Sequence, residues 1–307
     1  MKTIQTSLDV RFPIQHIELI RKLSFFFELE PGDTLDLSMQ FSDTGFVFSD
    51  NLLLIATLID HLKAKGVTVN INIAGSNPYA ARVNFFNLLD VPIEETFVRQ
   101  NSIGRFIEIK SFDPDTMYAL QDELNLILYQ IVGISKEVLQ LLFYCLGEII
   151  DNTIVHSGLH KGWVSAQYFP KNREIRLLIC DNGKGIHQSL SANAKYANID
   201  EKNALGLSIE RGVTDGEGLG FGLYATSQFI LHNQGDMLLY SGGHYLRQEE
   251  GGYKVHTGEH WQGTVVYLKI NTDIAVDYKQ IMPTHHTLPD DYDFFIEKFF
   301  GEDNELW

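Results

Sequence analysis

Basic residues are scarce in this chain. Lys and Arg number 24 against 40 Asp and Glu, a formal net charge of −16 over 307 residues. A field of that sign repels phosphate backbones, which argues against nucleic-acid binding as the main task. A small phosphate ligand is not excluded, because oriented amides and a metal ion act locally. Cysteine is nearly absent. Cys145 and Cys180 both lie in apolar segments, and they read as buried, reduced core residues rather than a disulfide or a metal site. No charged-then-apolar leader opens the sequence. The longest apolar runs, near Leu52–Ile59 and Val138–Cys145, read as too short to span a bilayer. A soluble, cytoplasmic protein with no membrane partner is expected. Repeats and low-complexity segments are also lacking. What remains is a globular composition, 44% apolar and 21% charged, long enough for two domains.

The N-terminal third alternates strands and helices. Thr34–Met39 alternates with period two and predicts a strand. Asn51–Lys65 predicts a helix ending at Gly66, with Lys63 and Lys65 in its last turn. Val67–Ile73 is a second alternating strand. Pro78 to Leu89 reads as one further helix, opened by Asn77-Pro78. Lys110 to Asp115 reads as a linker, with Pro114 at the first position of a helix running to about Val132. Gly133 then leads to a second helix, capped by Ser135. Asp290 to Trp307 mixes acids with Phe294, Phe295, Phe299 and Phe300, a short amphipathic helix that docks on its own domain or binds a partner.

Three segments carry chemistry. Glu148 and Asn152 stand four apart after an apolar stretch, and helical spacing puts both on one face. Glu148 is suited to handling a water proton, and Asn152 offers a neutral oxygen to a hard cation. Asp181-Asn-Gly183-Lys-Gly185 follows the strand-like run Ile175–Cys180. Gly216, Gly218, Gly220 and Gly222 crowd a seven-residue segment, where the backbone can approach phosphate closely. Leu219–Ile230 then reads as a helix with an anion-binding N-terminus.

Together these segments resemble the Bergerat-fold ATP-binding domain of the GHKL superfamily, over roughly residues 113–272. Gly263-Thr264 before Val265–Ile270 resembles the last strand of that family. The resemblance implies an α+β chain whose C-terminal unit, 113–275, is a two-layer sandwich with a mixed sheet covered by helices. It further implies ATP and Mg2+ as ligands. Glu148 would be the general base and Asn152 the magnesium ligand. Asp151 would support a water or adenine-side bond, or serve structure alone. Asp181 would read the adenine amine, selecting against guanine. Gly183 and Gly185 would pass beneath the base beside Ile186. Gly218, Gly220 and Gly222 would close a lid running from Ile186 to Asp215. Thr264 would add a hydroxyl near Asp181. His156 touches phosphate or is structural. Lys184, Lys202 and Arg211 are the nearby cations that could reach phosphate.

Asn152-Thr-Ile-Val-His156-Ser resembles the anti-sigma factor kinase branch most closely. The N-terminal unit, 1–112, resembles a STAS domain, with Phe48-Ser49-Asp50-Asn51-Leu52-Leu53 running into a helix. Many such domains carry a phosphorylatable serine there. Here Asn51 and Leu52 hold those positions, and Ser49 sits just before. Residues 276–307 are expected to form an acidic, aromatic tail. Phosphoryl transfer to a protein serine or threonine is the expected activity, with a slow ATPase switch or a non-catalytic ATP-binding scaffold as alternatives. The expected partner is a STAS or signalling protein, and a second copy of the chain is a further candidate.

Overall fold

Period-two strands at the start of the chain build a first sheet. The computed structural model describes residues 1–281 except Thr96, 132–135, 217–219 and Gly251. Gly218, Gly133, the Ser135 cap, Leu219 and the tail phenylalanines lie outside the described residues. β1 (Thr3–Asp9), β2 (Thr34–Gln40) and β3 (Thr68–Ala74) pair in parallel, in the order β1-β2-β3. α1 (His16–Leu23), a 3₁₀ turn at Ser24–Glu28, and α2 (Ser49–Lys65) make the crossovers. The other face of this sheet stays polar and open, with Thr3, Gln5, Ser7, Asn70 and Asn72 exposed. Parallel sheets are normally covered on both faces.

α2 ends where its sequence says it should. Gly66 adopts a φ of 91°. Its N–H bonds the Lys63 carbonyl, and Val67 N–H reaches back to Leu62. This 6→1 and 5→2 pair satisfies the last free carbonyls of the helix. The single helix expected over Pro78–Leu89 is two short ones, α3 (Pro78–Arg82) and α4 (Phe85–Leu88). Asn84 between them takes a φ of 71°, which breaks helical propagation. The Asn77 side chain caps α3 by accepting from Ala80 N–H at 2.9 Å.

The second sheet takes β4 (Phe106–Phe112), β5 (Gly162–Phe169), β6 (Glu174–Cys180), β7 (Asp236–Glu249) and β8 (Gly252–Asn271), ordered β4-β5-β6-β8-β7. Every pairing is antiparallel, where a mixed sheet was expected. The expected boundary at 112 also shifts. β4 pairs with β5, so the second sheet begins at Phe106 and Lys110 lies within a strand rather than a linker. α5 (Met117–Leu128) and α6 (Lys136–Asp151) follow, with Pro114 left in the turn before α5. α7 (Gly185–Leu190), α8 (Glu201–Leu207) and α9 (Gly222–His232) come between β6 and β7, and α10 (Tyr278–Ile281) follows β8.

Alternation along β6 and β8 sends apolar residues to both faces of this sheet. Ile175, Leu177, Ile179, Val266 and Leu268 join the core beneath α5, α6 and α9. Leu178, Cys180, Val265 and Tyr267 join a second core with α1 and α2. The sheet is therefore covered twice, not once. α2 lies between the two sheets, which is why it is apolar on every side from Leu52 to Ile59. Both cysteines are buried and free.

One segment, Val138–His156, is long and apolar enough to cross a membrane, with 78% of its most apolar window buried within the fold. The expectation that every apolar run is too short is corrected here, because the run continues past Cys145. Its apolar side chains other than Val155 form core.

Candidate functional site

A cavity of about 400 Å³ opens on the α6 side of the second sheet. Its walls come from segments far apart in sequence. α6 brings Glu148 and Asp151, the turn beyond it Asn152 and His156, and the end of β6 brings Asp181. Gly185, Ile186, Gly220, Gly222 and Thr264 complete the expected residues found in the wall. Gly183 does not line it, although it shapes the turn.

The end of α6 departs from a regular helix. Asn152–His156 form a π-helical turn, a widening common at functional sites. It carries the chain out of the apolar core while keeping Glu148, Asn152 and His156 on the cavity side. Thr153 anchors the turn by donating to the Ile149 carbonyl at 2.9 Å. Among the described residues the Asn152 amide makes no hydrogen bond to protein, so its oxygen is available to a ligand. Asp151 is exposed at the rim. Desolvation against the cavity wall pushes its carboxyl up from the ordinary value, and the nearby His156 draws it partly back.

Asp181 is 4% exposed. Burial pushes its carboxyl up to about 7, against lowering by the Gly183 and Thr264 backbone bonds. Gly183 N–H donates to its Oδ1 at 2.7 Å. A side chain on Gly183 would strike the Ser157 carbonyl 2.2 Å away, so only glycine lets this turn pass against the end of the π turn. Gly185 follows with a φ of 76°, and Ile186 N–H donates to Ser241 Oγ at 2.9 Å. Gln262 Nε2 holds the Gly183 carbonyl from β8.

Gly222 opens α9 directly against α6. A Cβ there would lie 2.4 Å from the Glu148 Cβ, so the helices meet this closely only through glycine. From 186 to 215 the chain forms a folded lid with its own small core, Leu190, Tyr196 and Ala204 with Ile186, Ile199, Leu207 and Val213. Gly212 N–H to the Gly220 carbonyl, 2.9 Å, closes its base.

Asp215 was missed in the sequence reading. Its Oδ2 lies 2.6 Å from His156 Nδ1 and accepts from Ser189 Oγ at 2.8 Å. The lid is thus tied to the end of α6 at the cavity wall. The signal that could have found Asp215 is its place immediately before the first glycine of the Gly216–Gly222 segment. Ser157, Ser208 and Thr214 add polar wall, and Ile149, Phe221, Leu239 and Val266 apolar wall. Lys184, Lys202 and Arg211 do not line this cavity. Lys184 instead faces a neighbouring depression with His187 and Glu201.

The arrangement offers a buried acceptor at one end, a carboxylate and a free amide oxygen on the α6 wall, and glycine backbone opposite. Such a site suits a nucleotide with its base at Asp181 and its phosphates near Asn152. Residues 137–274 match the family model described as histidine kinase-, DNA gyrase B- and HSP90-like ATPase. That stretch of the chain is a GHKL-type ATPase domain, a class that binds ATP. No curated protein matches the chain.

Proposed function

We propose that this chain binds ATP with Mg2+ in the cavity beside α6 and transfers the γ-phosphoryl group to a serine or threonine hydroxyl of a partner protein. One observation carries the reading: Glu148 and Asn152 from the end of α6 and the turn beyond it, Asp181 from the end of β6, and Gly220 and Gly222 from the start of α9 line a single cavity of about 400 Å³. Asp181 accepts from the adenine amine. Burial raises its carboxyl, and a hydrogen bond from the adenine amine favours the ionised form and draws the carboxyl back down. Asn152 supplies the protein oxygen for magnesium, with Asp151 and His156 beside it. The metal neutralises phosphate charge when bound. Gly220 and Gly222 let backbone approach the phosphates.

Glu148 takes the proton from the attacking hydroxyl. The hydroxyl oxygen forms a bond to the γ-phosphorus, the bond from that phosphorus to the β–γ bridging oxygen breaks, and ADP departs with the bond electrons. The acceptor lies on another chain. Asn51 and Leu52, which hold the positions resembling a STAS phosphorylation site, are 6% and 0% exposed, and Ser49 just before them is 6% exposed, so all are out of reach of a kinase. A STAS-like character for the N-terminal unit remains part of this proposal and rests on its βαβ order and the Phe48–Leu53 motif.

A second reading is an ATPase switch. It is favoured by the hydrogen bond of Asn182 Nδ2 to the Thr57 carbonyl of α2, 3.0 Å, which ties the Asp181 turn to the N-terminal half. In that case water replaces the hydroxyl.

Calorimetric titration of ATP with magnesium tests the shared part. Micromolar binding to the wild type that collapses in Asp181→Asn supports it, and absence of binding to the wild type overturns it. Incubation with γ-labelled ATP then separates the readings. Label on a STAS or signalling protein marks the kinase. Free phosphate released without any acceptor, and lost in Glu148→Ala, marks the switch. Tight binding with neither product leaves a scaffold.

A further inference from the structure

A second cavity, of about 270 Å³, lies at the seam between the N-terminal half and the outer face of the second sheet. It is remote from the nucleotide cavity and shares no residue with it. The starts of α1 and α2 form one wall, and Arg176 of β6, Asp236 of β7, Arg247 of β7 and Tyr267 of β8 form the other.

The polar groups here are unusual for an internal seam. Arg176 spends only its Nε, on Glu174 Oε1 at 2.8 Å. Its guanidinium lies 3.9 Å from the centre of the Phe48 ring, which fixes its plane. Its Nη groups have no hydrogen-bond partner among the described residues, and the Arg247 guanidinium, at the exposed mouth of the seam, has none either. Asn51 is 6% exposed, and its Nδ2 is buried without a partner. An unmatched buried amide of this kind costs stability unless a ligand satisfies it. Tyr267 is 5% exposed and its hydroxyl has no hydrogen bond among the described residues. Asp50 accepts from Asn51 N–H through Oδ1 at 2.7 Å, and its buried Oδ2 faces His16 Nε2 at 3.3 Å without a hydrogen bond. Asp236 is not engaged in any ion pair among the described residues.

We propose that this seam cavity binds a small organic acid that carries a carboxylate and, a few bonds away, a hydroxyl or ammonium donor. Arg176 and Arg247 take the carboxylate, since a guanidinium fork matches its two oxygens. Asp236 accepts from the donor. Asn51 and Tyr267 border the ligand between them. The volume is below that of drug-sized pockets, which limits the ligand to a small metabolite. The unusual content of the seam, two guanidinia with unused donors opposite one unpaired carboxylate, is complementary to such a molecule and not to a simple anion. Inorganic phosphate would satisfy the arginines but face Asp236 with like charge.

The test is a thermal-shift titration with L-malate, L-glutamate and succinate, the last lacking the donor, with inorganic phosphate as a salt control. Saturable stabilisation by malate or glutamate, at least several-fold tighter than succinate, is expected. Arg247→Gln, at an exposed position, should fold normally and weaken that response about tenfold or more. Asp236→Asn should remove the preference over succinate while leaving the response to succinate in place. Because neither residue lines the nucleotide cavity, binding there would persist in both variants. The proposal is overturned if the three acids and phosphate give the same non-saturating response in the wild type, or if Arg247→Gln responds like the wild type.

Discussion

At the scale of single residues, Asp181 shows how a buried carboxyl strains its own fold. An ordinary aspartate titrates near pH 3.9, whereas burial pushes this carboxyl up to about 7. Between those values the folded state holds a proton that the unfolded state has lost. Stability supplied by the neutral form is therefore present below pH 4 and lost as pH rises to about 7. Asp181→Asn removes the buried charge. The variant should melt close to the wild type at pH 4 and above it at pH 8, by about 2–4 kcal/mol in nucleotide-free protein, while binding no ATP. Melting curves at the two pH values, with calorimetry alongside, check both halves. Equal melting at pH 8 would remove the account of Asp181 as an ionised buried group. Glu148 makes the opposite prediction. Glu148→Gln should keep ATP binding within a few-fold and lower turnover by about 10²–10⁴, read in a single-turnover assay.

Also at this scale, the site was legible because its segments are local. Glu148 and Asn152 declare a helical face four residues apart, and Asp181 announces a turn by the glycines behind it. Asp215 gave only a weak signal, its place just before Gly216. Its meaning depends on His156, 59 positions earlier in sequence, and only the folded lid brings the two within 2.6 Å. The cations failed for the same reason. Lys184 sits in the right turn, but it lines the neighbouring depression rather than the cavity.

At the scale of elements, the contact of α6 with α9 sets the geometry of the cavity. Gly222→Ala places a methyl 2.4 Å from the Glu148 Cβ, an atom whose position the α6 backbone fixes and no rotamer change can move. Separation of the helices should cost about 1–3 kcal/mol, as overpacking does, and weaken ATP binding. Denaturant melts and calorimetry measure the two effects. Asn182→Leu tests the link between halves, since it removes the donor to the Thr57 carbonyl. A loss of about 1–2 kcal/mol is expected, with ATP affinity lowered several-fold. Unchanged affinity would leave the ATPase-switch reading without its support. The elements themselves were read well where periodicity was clean, as in β2 and α2. The sequence misled at β4, where Lys110 and Ser111 interrupt the apolar pattern because they lie on an edge strand. It also misled over Pro78–Leu89, where Asn84 turns the chain through a left-handed residue that composition alone does not reveal.

At the scale of the whole molecule, two sheets share one helix. The apolar outer face of the second sheet, with Trp163, Tyr240, Trp261 and Tyr267, is covered by α1, α2 and the 3₁₀ turn carrying Phe27. A fragment beginning at residue 113 would lose β4 along with this cover. It should bind a hydrophobic dye strongly and elute as aggregate in size exclusion, even though the family match begins at 137. A monodisperse, dye-silent fragment would mean that the two cores are energetically separate. The all-round apolarity of α2 was the clue to this arrangement, since a helix covered on one side alone keeps a polar stripe.

That shared helix also sets a timetable during synthesis. α2 is complete by residue 65, but the strands that pack on its far side, β5 and β6, end only at residue 180. At ordinary rates of translation the interval is roughly 6–23 s. Until then Leu52 to Leu62 lack the second sheet on their far side. The nascent chain thus carries a sticky helix while α5 and α6 are being made, and slowing of translation between β3 and β6 lengthens the exposure rather than helping the protein to form.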